Sequence, residues 1–529
     1  MIKDFFKKAV LVAFALVFLQ ADFYSIVSQA EQALDNWDFA QASKLAEQIK
    51  NELNFLNEQQ EISAHFFLAQ YWFYLGEYDK AKQELEWLKR RGDNLGTDFE
   101  QFYKRVVHLA ELFENAHERS STHFSIRWVD ERDEILAEPA LEVLEQAYRA
   151  LSRVFGFEPT RDDKIPVEIY PSSSDLAVAV GLSDEMLKAS GTVAICKYGR
   201  LLITTPRVLL YGYDYLTTMS HELVHYFVYS RNGETCPVWL HEGIAKYLET
   251  AYKGEMGVLT PIAKSLLVDA IKNNKLITFS EMHPTFAQFK TPSQGQLAFA
   301  EVSTMVGYLK SRCGEDSWLE LLDLLKQGKD DKTALSEVCG NDFESIWQNW
   351  KEWVEARGWK VLPGAVALRL EFSEGKEEKK KEEEISQEEL GSQKAWEYVR
   401  LGDLLRDRGK YQSAVVEYEK AVELVPYNPK VLNKLGIAKM MAGDYKGAIA
   451  TLKKAGEITP NYSTIFVNLG LAYASAGDDE GAIESFKRAV ELNPFNPLPY
   501  IKLRELYLKQ GDSYNAEKMA SALEIIKRR

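Results

Sequence analysis

Apolar residues recur at helical spacing from residue 22 to about 118, in a stretch nearly free of Gly and Pro. The spacing predicts two or three helical hairpins there. The rhythm changes at residue 119. Phe124–Trp128 and Val167–Tyr170 alternate apolar and polar positions, as short strands do. Residues 191–196 and 200–205, joined by Lys197, Tyr198 and Gly199, predict a β-hairpin closed by Pro206. Leu141–Val154 has helical spacing, and the same period resumes after the hairpin and runs to about Arg357. Strands first and helices later predict an α+β domain over 119–372. Residues 373–394 are rich in Glu and Lys and poor in apolar side chains, which predicts a solvated linker.

Residues 395–529 repeat. Gly402, Gly436 and Gly470 stand in one column with a step of 34 residues, and Gly409, Gly443, Gly477 and Gly511 in another. Ala414, Ala448, Ala482 and Ala516 form a third column, and Pro426, Pro460 and Pro494 a fourth. Gly and Ala allow two helices to approach closely, and Pro ends a helix because it lacks an N–H and clashes with the preceding turn. The pattern resembles the tetratricopeptide repeat, carried by Leu401, Gly402, Ala414, Tyr418, Ala421 and Pro426 and again by Leu469, Gly470, Tyr473, Ala482, Phe486, Ala489 and Pro494. The resemblance implies a C-terminal α-solenoid with a groove for a protein partner. Gly76–Ala81 resembles a turn of the same repeat, and Trp37–Ala40 looks like a degenerate copy, so residues 22–118 are expected to be TPR-like.

Composition narrows the function classes. An apolar fraction of 46% and a charged fraction of 27% are those of a globular protein. A net charge of −15 argues against nucleic acid, which calls for a basic surface. At the N-terminus Lys3, Lys7 and Lys8 flank a short apolar run, Ala9 to Leu19, followed by Ala21. The run suits a signal peptide over 1–21 and is short for a membrane span, so the chain is expected to be exported, to the periplasm or outside the cell. A membrane would enter only through that segment, if it stays uncleaved. Cys196, Cys236, Cys313 and Cys339 permit two disulfides, with Cys196–Cys236 the pair expected from its position beside the candidate site.

The candidate chemistry lies in His221, Glu222 and His225. On a helix, residues four apart share a face, so two imidazoles can converge on one Zn²⁺. Glu222 borders that face, within reach of a water at the metal. Leu216, Met219, Leu223, Tyr226 and Phe227 form an apolar stripe at helical steps, leaving the polar face for a cleft. Pro237 then suits a second helix start, from which Glu242 projects as a third ligand. Three protein ligands and an open position make a catalytic arrangement rather than a structural one. Gly243 is expected to let this helix approach the first closely.

Together, His221–His225 and Trp239–Ala245 resemble the gluzincin superfamily of zinc metallopeptidases, in the peptidase MA-like group, whose second motif supplies a zinc-binding Glu. The resemblance implies a zincin-like fold over 119–372, His221, His225 and Glu242 as zinc ligands, Glu222 as general base, and the strand Leu201–Thr205 as the edge against which a peptide pairs. The adjacent His241 is a rival ligand, less favoured because neighbouring helical residues diverge by about 100°. Two departures stand out. Where relatives often carry a carboxylate that orients a His, this chain has Lys246; Glu249 lies on the same face and is either its substitute or a solvated surface residue. No aromatic hydroxyl stands near Phe299 to assist an oxyanion, leaving Tyr308 and Tyr247 as candidates.

The expected function is an exported zinc peptidase, cutting peptide bonds with zinc-activated water and Glu222 as base, with TPR modules recruiting a protein partner or substrate. The alternative is a non-catalytic TPR scaffold carrying a degenerate or structural zinc domain.

Overall fold

The structure is a computed structural model that describes residues 23–92, 96–159, 163–289, 291–367, 370–373 and 385–528. The signal segment expected over 1–21 lies outside them. The described residues are mostly helical, with one small sheet. Among them, no helix is long and apolar enough to cross a membrane.

The sheet has five strands in the order β1-β2-β3-β5-β4. These are β1 (His117–Ser120), β2 (Phe124–Trp128), β3 (Ile165–Tyr170), β4 (Ala194–Lys197) and β5 (Arg200–Thr204). β2, β3 and β5 run parallel, while β1 and β4 are antiparallel edges. This corrects the expectation that Leu201–Thr205 is an edge: β5 pairs on both sides, and the outer strand of the hairpin is β4. Strand order is set by tertiary packing and leaves no local trace. β1 begins inside the stretch expected to be helical, and every one of its residues is exposed, so no alternation marks it.

The helix Glu134–Phe155 packs beneath the sheet through Leu136, Leu144 and Leu151, and the helix Tyr215–Asn232 lies beside it. Val167, Leu201 and Ile203 from the sheet join Leu223, Phe227, Leu240 and Trp350 from the helices in the main core of this region.

The N-terminal helices Phe39–Glu52, Glu58–Tyr74, Tyr78–Arg90 and Gly96–Phe113 follow a helix over 23–35. They are fastened to the sheet by a buried polar knot. The Tyr78 hydroxyl donates to Glu168 Oε2 (2.7 Å), and Arg200 Nη1 donates to both Tyr78 Oη (2.7 Å) and Glu168 Oε1 (3.0 Å). Arg127 donates to the carbonyl of Gly76 at 2.9 Å. Gly76 has φ +76°, and a Cβ there would sit 2.9 Å from Glu168 Oε1, so this turn admits only Gly.

Cys313 and Cys339 form a disulfide, while Cys196 and Cys236 are free thiols. The pairing expected between Cys196 and Cys236 is therefore replaced by one that ties two late helix ends, Cys313 following Pro292–Arg312 and Cys339 closing Asp331–Cys339.

The C-terminal array stacks four helical pairs: Gln393–Asp407 with Tyr411–Leu424, Pro429–Met441 with Tyr445–Ile458, Ser463–Ala476 with Asp479–Leu492, and Pro497–Gln510 with Ser513–Ile526. The repeated column of Gly402, Gly436 and Gly470 faces Tyr418, Leu452 and Phe486, where a Cβ would come within 2.5–2.6 Å. The array seats on the central region at the start of the helix Tyr215–Asn232. Ser463 Oγ donates to Tyr211 O (2.8 Å), and Arg488 pairs with Asp214 at 3.2 Å. Gly212, with φ +66°, lets the two backbones touch, since a Cβ there would lie 2.6 Å from Leu492 O.

Candidate metal centre

Asp214 caps the helix Tyr215–Asn232 by accepting the N–H of Thr217 at 3.1 Å. Gly233, at φ +57°, ends it. The helix is apolar on more sides than its sequence stripe suggests. Leu223, Val224, Phe227 and Val228 are fully buried, packed between the helix Glu134–Phe155 and the strands β4 and β5. Its polar face is not open to solvent as expected: Glu222 and His225 are buried too. Desolvated ionisable groups at this depth need partners.

Those partners arrive on the helix Val238–Leu248, which begins after Pro237 and buries Trp239, Leu240 and Ile244. Glu242 Oε2 lies 3.5 Å from His221 Nε2 and 3.6 Å from His225 Nε2. One ligand atom from each of the three residues falls within 4.8 Å of the others, a spacing able to hold a metal ion. Gly243 does not serve the contact expected of it. A Cβ there would stand 2.9 Å from Val302 O, so it lets the helix Pro292–Arg312 approach, rather than the helix carrying the histidines.

Glu249 is not a solvated surface residue. It is buried at the end of the second helix, and its Oε2 is 3.1 Å from His221 Nδ1. An Nδ1–H donated to that carboxylate leaves the Nε2 lone pair directed at Glu242 and at any ion between them. Burial opposes the ionisation of Glu249, but Lys246, in ion-pair contact with it, and His221 hold its carboxyl below the usual range. Lys246 thus supports the carboxylate that a shorter spacing would have put in its own place.

The local charge balance is negative. Burial disfavours a charged His221, yet hydrogen bonds with Glu242 and Glu249 push it up to about 10. Burial likewise opposes charge on Glu242, and His225 and His221 hold it well below the usual carboxylate range. Glu222, Glu242 and Glu249 outnumber Lys246, the one ammonium among them, and form a site that favours a cation. Two imidazole nitrogens and one carboxylate oxygen match the donor chemistry of a borderline-soft divalent metal such as zinc.

Glu222 is not one of the three convergent groups. Burial raises its pKa, with Glu242 adding to the rise, and its helix packs against β4. The edge strand and the helix of the candidate base are therefore neighbours, a feature that no sequence spacing reports.

His241 stacks flat on His225, with ring centroids 4.5 Å apart and planes 6° off parallel. Burial and the neighbouring His225 push it down to about 3, which keeps it neutral. Phe299 is the aromatic ring that approaches His221, at 6.1 Å. Tyr247 packs against Gly257 and Gly307, and Tyr308 against Trp353.

Comparison with known proteins identifies two parts of the chain. Residues 145–356 match the Peptidase MA superfamily, and residues 402–443, 440–477 and 472–511 match the TPR repeat. The chain thus joins a Peptidase MA superfamily domain to TPR repeats. No curated protein matches it. Among solved structures, a crystal structure of MamA is similar at 23% identity over 25% of this chain and 75% of its own, with a TM-score of 0.23. MamA 41-end from Desulfovibrio magneticus RS-1 is similar at 23% identity over 26% of this chain and 78% of its own, with a TM-score of 0.25. The first TPR of Spaghetti (RPAP3), bound to an HSP90 peptide, is similar at 25% identity over 23% of this chain and 95% of its own, with a TM-score of 0.22.

Proposed function

We propose that the central domain, residues 119–372, is a zincin-like zinc-dependent peptidase, and that the flanking helical modules recruit a protein partner or substrate. The convergence of His221, His225 and Glu242 beside a buried Glu222 carries this reading. His221, His225 and Glu242 would hold the ion, and Glu249 fixes the ring of His221. When bound, zinc supplies Lewis acidity, acidifying water and polarising a carbonyl. Glu222, its pKa lifted by burial, is suited to take a proton from water and return it to the leaving amine. The free edge of β4 aligns an extended peptide through backbone hydrogen bonds.

Export is part of the proposal. The charged and apolar N-terminal run motivates it, and the Cys313–Cys339 disulfide supports an oxidising compartment. The TPR array is the natural seat for a protein partner, since stacked helical pairs of this kind expose an extended concave face.

The test is metal content and peptide cleavage measured side by side. Purified protein should hold about one zinc per chain. Glu222→Gln should keep the metal and lose at least about 100-fold in turnover, the usual contribution of a general base. Native-rate cleavage by that variant would exclude Glu222 as the base. Zinc without cleavage of any peptide would leave the non-catalytic scaffold.

A further inference from the structure

We infer that the approach to the metal centre is closed at both ends of β4, and that its substrate is a short peptide rather than a long chain threaded past it. This rests on the peptidase reading above.

The chemistry lies beside β4, which packs on the helix carrying His221, Glu222 and His225. β4 is four residues long, Ala194–Lys197. At a rise of about 3.3 Å per residue it offers a pairing edge of about 13 Å, matched by roughly four residues of an extended partner.

At the Ala194 end, β4 follows the helix Asp184–Ser190. The short turn Phe286–Gln288 packs against that helix. This turn is the tip of a segment that leaves the helix Pro261–Lys272 and returns to the helix Pro292–Arg312. Its root is anchored by Phe279, stacked on Trp239 at 4.1 Å, and by the N–H of Ile277, donated to Glu301 at 3.0 Å. Its tip packs on the site's wall: the rings of Phe286 and Phe299 are 5.0 Å apart, and Phe299 is the ring beside His221. The segment therefore spans from the wall carrying Phe299 to the wall that leads into β4.

At the Lys197 end, the N-terminal helices make a second bridge. Tyr198, at the hairpin tip, meets the ring of Tyr74 at 4.9 Å. Tyr74 and Trp37 pack against the same apolar cluster of the N-terminal helices. The Tyr229 hydroxyl, on the helix carrying the histidines, donates to the backbone carbonyl of Asp35. Trp37 covers Tyr229 with its ring 3.8 Å away. Rim and floor are thus joined through the N-terminal helices, by Tyr74 at one side and by Asp35 and Trp37 at the other.

Between the two bridges the metal-facing groups are narrowly accessible, with side-chain exposures of 13% for His221, 11% for His225 and 23% for Glu242. A peptide long enough to run past either end of β4 meets side chains packed across its path.

The test uses the full zinc-loaded chain and quenched fluorescent peptides. These share one central sequence and extend symmetrically from about 4 to about 20 residues, alongside one unfolded protein. kcat/KM should be highest for peptides near the length of β4 and at least about 10-fold lower for the longest peptides and the unfolded protein. Phe286→Gly, which loosens the tip, should raise the ratio of long-peptide to short-peptide cleavage. If the wild type cuts long and short peptides equally well, the inference fails and the peptidase reading stands. If the zinc-loaded chain cuts no peptide of any length, the peptidase reading fails and the inference falls with it.

Discussion

Nδ1 of His221 and Oε2 of Glu249 stand 3.1 Å apart, across the joint between two helices. The carboxylate is itself held by Lys246. Removing its charge loosens the ring orientation and weakens the donor character of Nε2. Glu249→Gln should lower zinc affinity by about 10- to 100-fold, as loss of an orienting partner does elsewhere. Competition with a fluorescent chelator measures it. A native affinity would show that the ring is fixed by packing alone.

Glu242 and His241 are adjacent in sequence and opposite in role. Glu242 joins both imidazoles, whereas His241 stacks on the outer face of His225. Glu242→Ala should yield protein with substoichiometric zinc and no cleavage, while His241→Ala should keep zinc near one per chain. Metal analysis after dialysis separates the two. Zinc lost from the His241 variant alone would reverse the ligand assignment.

Much of this site was written into local spacing. The separation of His221 and His225 follows from helical geometry, and Pro237 marks the start of the helix that delivers Glu242. Long-range order was not legible in the same way. The family resemblance implies β5 as the edge, yet it is an inner strand because β3 pairs on one side of it and β4 on the other. Gly243 signals close packing without saying against which helix. Cys313 and Cys339 meet only after two helices fold back, whereas Cys196 and Cys236 flank the site without pairing. The repeat array was the most legible part, because each unit repeats the same Gly-against-large contact and needs only its neighbour.

That contact gives a stability prediction. Gly470 sits in mid-helix against the ring of Phe486, where a Cβ would be 2.6 Å away. Gly295 sits near the start of another helix with nothing within 4 Å of the Cβ position. Gly295→Ala should stabilise by up to about 1 kcal/mol through helix propensity. Gly470→Ala gains the same propensity but overpacks a fully buried ring, so the net effect should be destabilising, with a packing cost of about 1–3 kcal/mol. Thermal unfolding of the two variants should shift in opposite directions. A shift upward in both would mean that Phe486 yields freely.

The polar knot between the N-terminal helices and the sheet makes the last prediction. Arg200 and Glu168 are both fully buried, with Tyr78 and Tyr170 donating to the same carboxylate. A buried ion pair adds little net stability when whole, but an isolated buried charge is costly. Arg200→Met should therefore destabilise by up to about 3–5 kcal/mol, because Glu168 loses its buried counter-charge and keeps only Arg127, 3.9 Å away. Adding Glu168→Gln to that variant should recover part of the loss, since an amide can still accept from both tyrosines. Tyr78→Phe alone removes one donor and should cost about 1–2 kcal/mol. Chemical denaturation of the three variants distinguishes charge isolation from simple loss of packing. If the double variant is no more stable than Arg200→Met, the carboxylate's charge is not what Arg200 answers.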